Sequence, residues 1–138
     1  MANITAAAVN ELRKRTGVGM MDCKKALVEC DGDMDKAIDY LREKGQKLAA
    51  KRADRDASEG AVLATVNADK TFAAVIMMNC ETDFVAKNED FVAFTREVLQ
   101  TAVDAKAKSL EEVMALTING LSVETMIVEQ VAKIGEKI

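Results

Sequence analysis

Histidine is absent from all 138 residues. Without imidazole the chain cannot supply the usual general base near neutral pH, a Ser-His-Asp or Cys-His nucleophile system, or an imidazole-containing zinc site. Proline and tryptophan are also absent, and the aromatic set is four Phe and one Tyr. About 5% proline is usual. Its absence removes helix breakers and rigid turns and leaves seven glycines as the main punctuation of a helix-heavy fold. Cys23, Cys30 and Cys80 are an odd set with no CxxC pair, so neither a zinc ribbon nor a disulfide framework follows, and a reducing, cytoplasmic setting is expected. The opening Met-Ala-Asn-Ile-Thr has none of the marks of a signal peptide, and no run approaches the roughly 18 apolar residues of a membrane span.

What is present is an ordinary globular composition, 49% hydrophobic and 30% charged with a formal charge of -4. This balance excludes a disordered polymer and gives no global attraction toward nucleic acid or an anionic membrane. The length allows one ordinary domain or two small ones at roughly 100 to 200 residues each. The acidic excess lies after Gly60, the preceding residues being nearly neutral, so the two parts are differently made.

The first helix is predicted from Thr5 to Arg15, with Ile4, Ala8 and Leu12 on one face and Thr5 as N-cap. Thr16-Gly17-Val18-Gly19 interrupts it. A second helix follows over Asp22 to Cys30, then an Asp31-Gly32-Asp33 turn, then a third helix over Met34 to Lys44 that Gly45 is placed to end. The alanine-rich, charged stretch from Gln46 to Glu59 reads as a helical linker, and Gly60 as a boundary. Ala61–Val66 and Thr71–Met78 form two strand-like runs joined by Asn67-Ala68-Asp69-Lys70, an antiparallel hairpin that needs helices on one face. Asp90 to Ala105 supplies Phe91, Phe94, Val98, Leu99, Ala102 and Val103 at helical spacing behind an Asn88 N-cap. Ser109-Leu110-Glu111-Glu112 is a capping-box pattern, and Asn119-Gly120 turns the chain into a last helix over Val123 to Ile134. The fold class is α+β.

Thr16-Gly17-Val18-Gly19-Met20-Met21 is neither GxGxxG nor a P-loop, and no strand precedes it. It reads as a bent loop presenting Met20 and Met21, whose flexible thioethers suit an irregular partner surface; the competing reading puts both in the three-helix core. Lys51, Arg52 and Arg55 interleave with Asp54, Asp56 and Glu59, which predicts a solvated, salt-bridged helix face rather than a nucleic-acid site. The least ordinary stretch is Asn79 to Asn88. It packs Glu81, Asp83 and Lys87 around Phe84 between an apolar strand and an aromatic-rich helix. Either Phe84 tucks into the core and Asp83 caps a turn, or the segment is displayed for binding. Glu81, Asp83, Glu89 and Asp90 match no EF-hand spacing, so no metal is expected, and Cys80 has no His to activate it.

Two of these stretches resemble the bacterial translation elongation factor Ts family, the guanine nucleotide exchange factors of elongation factor Tu. One is Leu12-Arg13-Lys14-Arg15-Thr16-Gly17-Val18-Gly19-Met20-Met21-Asp22-Cys23-Lys24-Lys25-Ala26-Leu27, the other Cys80-Glu81-Thr82-Asp83-Phe84-Val85-Ala86-Lys87-Asn88. Gly32-Asp33, Ala37-Ile38, Leu41-Arg42, Lys44-Gly45 and Glu59-Gly60 also fall as in that family, whereas Val18 stands where many members have Ala. The resemblance implies a ubiquitin-associated-like three-helix domain over residues 1–45, a helical linker over 46–60, and the first subdomain of the α+β core or dimerisation domain over 61–138, its hairpin packed on helices. The second subdomain of the family is absent, so a shortened form with weak affinity and reduced exchange activity is expected.

The resemblance further implies that Thr82, Asp83, Phe84 and Val85 push into the GTPase near its magnesium site, with Phe84 as the wedge. Leu12, Met20, Met21 and Lys51 are the implied contacts of the N-terminal part. The implied partner is elongation factor Tu, GDP-bound or nucleotide-free, with no covalent chemistry, cofactor, nucleic acid or membrane; a homodimer is left open. The competing expectation is a ubiquitin-associated-like binding module joined to a structural α+β domain, without exchange activity.

Overall fold

A computed structural model describes residues 3–138. The chain divides into two compact units: one extends to Asp54 and includes Val128–Glu136, the other comprises Arg55–Ile127 with Lys137–Ile138.

The first unit begins with α1 (Ala6–Thr16), where the Thr5 hydroxyl accepts a hydrogen bond from the Ala8 N–H at 3.2 Å and Gly17 ends the helix in the left-handed region. α2 (Met20–Glu29) follows at once, with Gly19 at its N-cap. Met20 and Met21 therefore occupy a first helical turn instead of the expected bent loop. Asp31 and Gly32 turn the chain at positive φ, and the Asp33 carboxylate caps α3 (Met34–Lys51) by accepting from the Lys36 N–H at 3.1 Å. That bond holds the Asp33 carboxyl below the usual carboxylate range. Val9, Leu12, Val18, Cys23, Ala26, Leu27, Ala37 and Leu41 form the core.

The expected end of the third helix at Gly45 is corrected: α3 runs from Met34 to Lys51. A Cβ at Gly45 would stand 2.9 Å from the Ala132 Cβ, so the glycine permits close approach by the end of the last helix. Arg42 reinforces that packing through a 2.8 Å ion pair with Glu129. The expected helical linker over 46–60 is thus divided differently: residues 46–51 continue α3, residues 52–58 are non-helical, and Glu59 opens a strand.

The second unit is built on β1 (Glu59–Val66) and β2 (Ala73–Cys80), antiparallel from Glu59↔Cys80 to Val66↔Ala73. β2 starts and ends two residues later than the apolar run suggests. The Asn67 side-chain oxygen accepts from the Thr71 and Phe72 N–H groups at 2.9 and 3.0 Å, which keeps both residues in the loop. After the single-turn α4 (Asp83–Ala86), α5 (Glu89–Asp104) packs on one sheet face through Phe91, Phe94, Val98, Leu99, Ala102 and Val103. Buried Thr95 is satisfied, its hydroxyl donating to the Phe91 carbonyl at 2.9 Å.

α6 (Leu110–Ala115) carries the expected cap: the Ser109 hydroxyl accepts from the Glu112 N–H, and the Glu112 carboxylate reaches back to the Lys108 N–H. Asn119 and Gly120, both at positive φ, turn a small hairpin of β3 (Thr117–Ile118) and β4 (Leu121–Ser122), where only a turn is expected from sequence. α7 (Val123–Ile134) ends the order of elements. The architecture is α+β, a helical bundle followed by a hairpin packed on helices. Among the described residues no helix is long and apolar enough to cross a membrane.

Candidate functional site

The path from β2 into α5 is held at nearly every residue. Cys80, the last residue of β2, is fully buried, and its thiol donates to the Thr82 carbonyl at 3.2 Å. The Glu81 carboxylate accepts from the Arg55 guanidinium at 3.1 Å and from the Lys137 backbone N–H at 2.7 Å. Thr82 is the N-cap of α4, its hydroxyl facing the Val85 N–H, and its carbonyl accepts from the Ala86 N–H. Lys87 donates to Asp83 at 2.9 Å; this bond lowers the Asp83 pKa and raises that of Lys87, so both stay charged over a wide pH range. Asn88 then caps α5, accepting from the Asp90 and Phe91 N–H groups.

α4 packs on both strands. Thr82 and Val85 are half-buried, whereas Asp83 and Phe84 face solvent, Phe84 at 84% exposure. The possibility that Phe84 completes the sheet-helix core is excluded by that figure; Phe91, at 1% exposure, fills that role. A large aromatic held in water on an element whose polar groups are engaged is an unspent source of contact energy. Glu81 and Asp83 are taken by Arg55 and Lys87, and among the described residues no group of three or more potential ligands is arranged to hold a metal ion.

In the first unit Met20 and Met21 are 50% and 76% exposed, which overturns the reading that they fill the three-helix core. Lys51 is exposed at the end of α3. Leu12 requires a correction. It is fully buried between the helices and has no side-chain surface to offer a partner. Sequence reasoning passed over Val28, which is exposed on α2 along the same stripe as Met21; its place two turns on was the available signal. Arg55 does not join a run of neighbouring helical ion pairs as its interleaved acids suggested, because the chain beyond Lys51 is not helical and Arg55 pairs with Glu81. Partial burial and the nearby Asp33 raise the Cys30 thiol pKa, away from the nucleophilic thiolate. A groove of about 620 Å³ along β2, lined by side chains that include Phe72, Val98, Val113, Val123 and Ile127, is mostly apolar.

A small helical unit and a hairpin-and-helix unit that displays one aromatic side chain at a strand exit define a two-unit α+β protein with surfaces suited to contact. Comparison with known proteins makes the assignment particular. Residues 81–138 match the family model described as Elongation factor TS, and residues 1–49 the model described as Elongation factor Ts, mitochondrial, N-terminal. The chain is 58% identical to the Elongation factor Ts of Christiangramia forsetii, aligning over 100% of its own length and 50% of that relative. For the proteins of the same name from Flavobacterium johnsoniae and Rhodopirellula baltica the identities are 56% and 55%, over 100% of this chain and 42% of each relative. The chain belongs to the elongation factor Ts family and spans about half the length of the curated relatives it matches.

Proposed function

We propose that the chain carries the wedge-bearing part of a guanine nucleotide exchange factor for elongation factor Tu and acts in translation elongation in the cytoplasm. The single observation that carries this reading is Phe84, 84% exposed on a turn whose flanking polar groups are held in place. Such a side chain enters a partner's cleft with little ordering cost. Thr82, Asp83, Phe84 and Val85 press into the GTPase beside its magnesium site, and Asp83, paired with Lys87, orients the segment. Displacing Mg²⁺ removes the counter-charge that holds the GDP phosphates. Binding the empty GTPase more tightly than the GDP form lowers GDP affinity by the same coupling free energy, so exchange needs no covalent step.

Met20 and Met21, with Lys51, provide a second contact from the first unit; their exposure supports that role. The deciding experiment follows fluorescent GDP release from loaded elongation factor Tu. Release accelerated by the chain and reduced by Phe84→Ala supports the reading. Binding without any acceleration would favour a ubiquitin-associated-like binding module joined to a structural α+β unit.

A further inference from the structure

We propose that Glu81 is a positioning residue for Phe84: its carboxylate clasps Arg55 and Lys137, and thereby sets the turn from which α4 projects the phenylalanine. The proposal rests on the reading of Phe84 as the contact with the GTPase.

The two carboxylate oxygens of Glu81 take different partners. Oε2 accepts from the Arg55 guanidinium at 3.1 Å and Oε1 from the Lys137 backbone N–H at 2.7 Å. The triangle closes through the Lys137 ammonium, which donates to the Arg55 carbonyl at 3.0 Å. Three points far apart in sequence, all in the second unit, are thus joined through one side chain. The Glu81 side chain is only 18% exposed against 53% for Arg55, so the carboxylate sits withdrawn from solvent and its bonds are charge-assisted. An ion pair with both members on the surface would carry much less weight.

Position explains why this clasp bears on Phe84 in particular. The β1–β2 ladder ends at Glu59↔Cys80, and α4 begins at Asp83. Residues 81 and 82 lie between them, where neither the ladder nor the helix dictates backbone direction. α5 downstream has its own cap in Asn88 and its own buried face. Removing the Glu81 carboxylate therefore loosens the direction of α4, which keeps its packing on both strands and the Cys80 thiol bond to the Thr82 carbonyl, while leaving sheet and α5 intact. Gln at this position keeps one oxygen for the Lys137 N–H, but its amide NH2 is a donor and cannot accept from Arg55, so one of the two carboxylate bonds is kept and the other lost.

The test uses the 138-residue chain in two independent arms. In the free chain, Glu81→Ala lowers backbone NMR order parameters of residues 82–87 from about 0.85 toward 0.6. It also lowers hydrogen-exchange protection of the Lys137 amide at least tenfold, with α5 and α1–α3 unchanged and Glu81→Gln restoring most of the Lys137 protection and part of the order at 82–87. In GDP release from loaded elongation factor Tu, Glu81→Ala slows release about tenfold, Glu81→Gln about twofold, and Glu81→Ala adds nothing to Phe84→Ala. Unchanged order at α4, protection lost equally in α5, or losses that multiply in the double variant would each overturn the proposal. If Phe84→Ala releases GDP like the unmodified chain, the reading of Phe84 falls, and the order parameters of the free chain decide the clasp by themselves.

Discussion

The two units bury their apolar residues to different degrees. In the first, the main core cluster comes from residues 9–41, drawn from three consecutive helices and the short connections between them, with Val131 of α7 also buried, and among the described residues the exposed large apolar side chains are Met20, Met21 and Val28 on α2. In the second, a hairpin receives α5 on one face while Val62, Val66, Val75 and Met77 remain exposed on strand positions that alternate with those packed inward. Phe84 and Leu110 add to that set. A helix can hide its apolar stripe against two short neighbours, but a two-stranded sheet has two faces and α5 covers one. Exposure in the first unit is therefore local to one helix face, and in the second it follows from how few layers the unit has.

The largest effects are expected where each unit's own core is cut. Phe91→Ala should cost about 3–5 kcal/mol and Leu27→Ala about 2–5 kcal/mol, read by denaturant unfolding. Hydrogen-exchange protection should fall first in β1, β2 and α5 for Phe91→Ala, and first in α1–α3 for Leu27→Ala. The same loss pattern from both substitutions would erase the distinction between the units. Gly45→Val should follow, at about 1–3 kcal/mol, because even a Cβ there meets Ala132 at 2.9 Å. The loss should appear at the end of α7, and a neutral result would contradict close packing at that point.

Phe84→Ala sharpens the contrast between stability and surface. Folding stability should change by less than about 0.5 kcal/mol, since the ring is in water. Affinity for elongation factor Tu should drop by about 2 kcal/mol, roughly thirtyfold, if the ring becomes buried there. Melting temperature and titration calorimetry separate the two.

The smallest effect concerns acid. Asp33 in the first unit and Asp69 in the second both have depressed pKa values, through the Lys36 N–H and the Thr71 hydroxyl respectively. Each lends stability that is present above the unfolded carboxylate pKa and is lost as pH falls through the lower folded value. Melting temperature should therefore decline below about pH 4. Asp33→Asn, which keeps the cap, should flatten the decline in the first unit and leave that of the second.

Much of the secondary structure was legible because its determinants are adjacent in the chain. Thr5, Asn88 and Ser109 cap the helices they were expected to cap, each through bonds to residues two or three positions away. The outward display of Met20 and Met21 was one of two open readings, and the burial of Leu12 went against its place among the proposed contacts. Both depend on which side of a helix its neighbours occupy. Gly45 was misread for a related reason: a glycine late in a helix signals an end or a close neighbour, and the neighbour here lies near residue 132. The shift of β2 came from the Asn67 side chain, whose choice between solvent and the loop backbone is not written in hydrophobic periodicity.

The sequence by itself determined the α+β class, the order of the main helices and the hairpin, and the segment from Cys80 to Asn88 as the unusual one. These follow from periodicity, capping and turn chemistry, which act over a few residues. Only the tertiary structure decided that Phe84 stands in solvent while Phe91 is buried, and that Glu81 joins Arg55 to Lys137. Such outcomes depend on which distant segments meet when layers pack, and a side chain's exposure is a property of those neighbours and not of its own place in the chain.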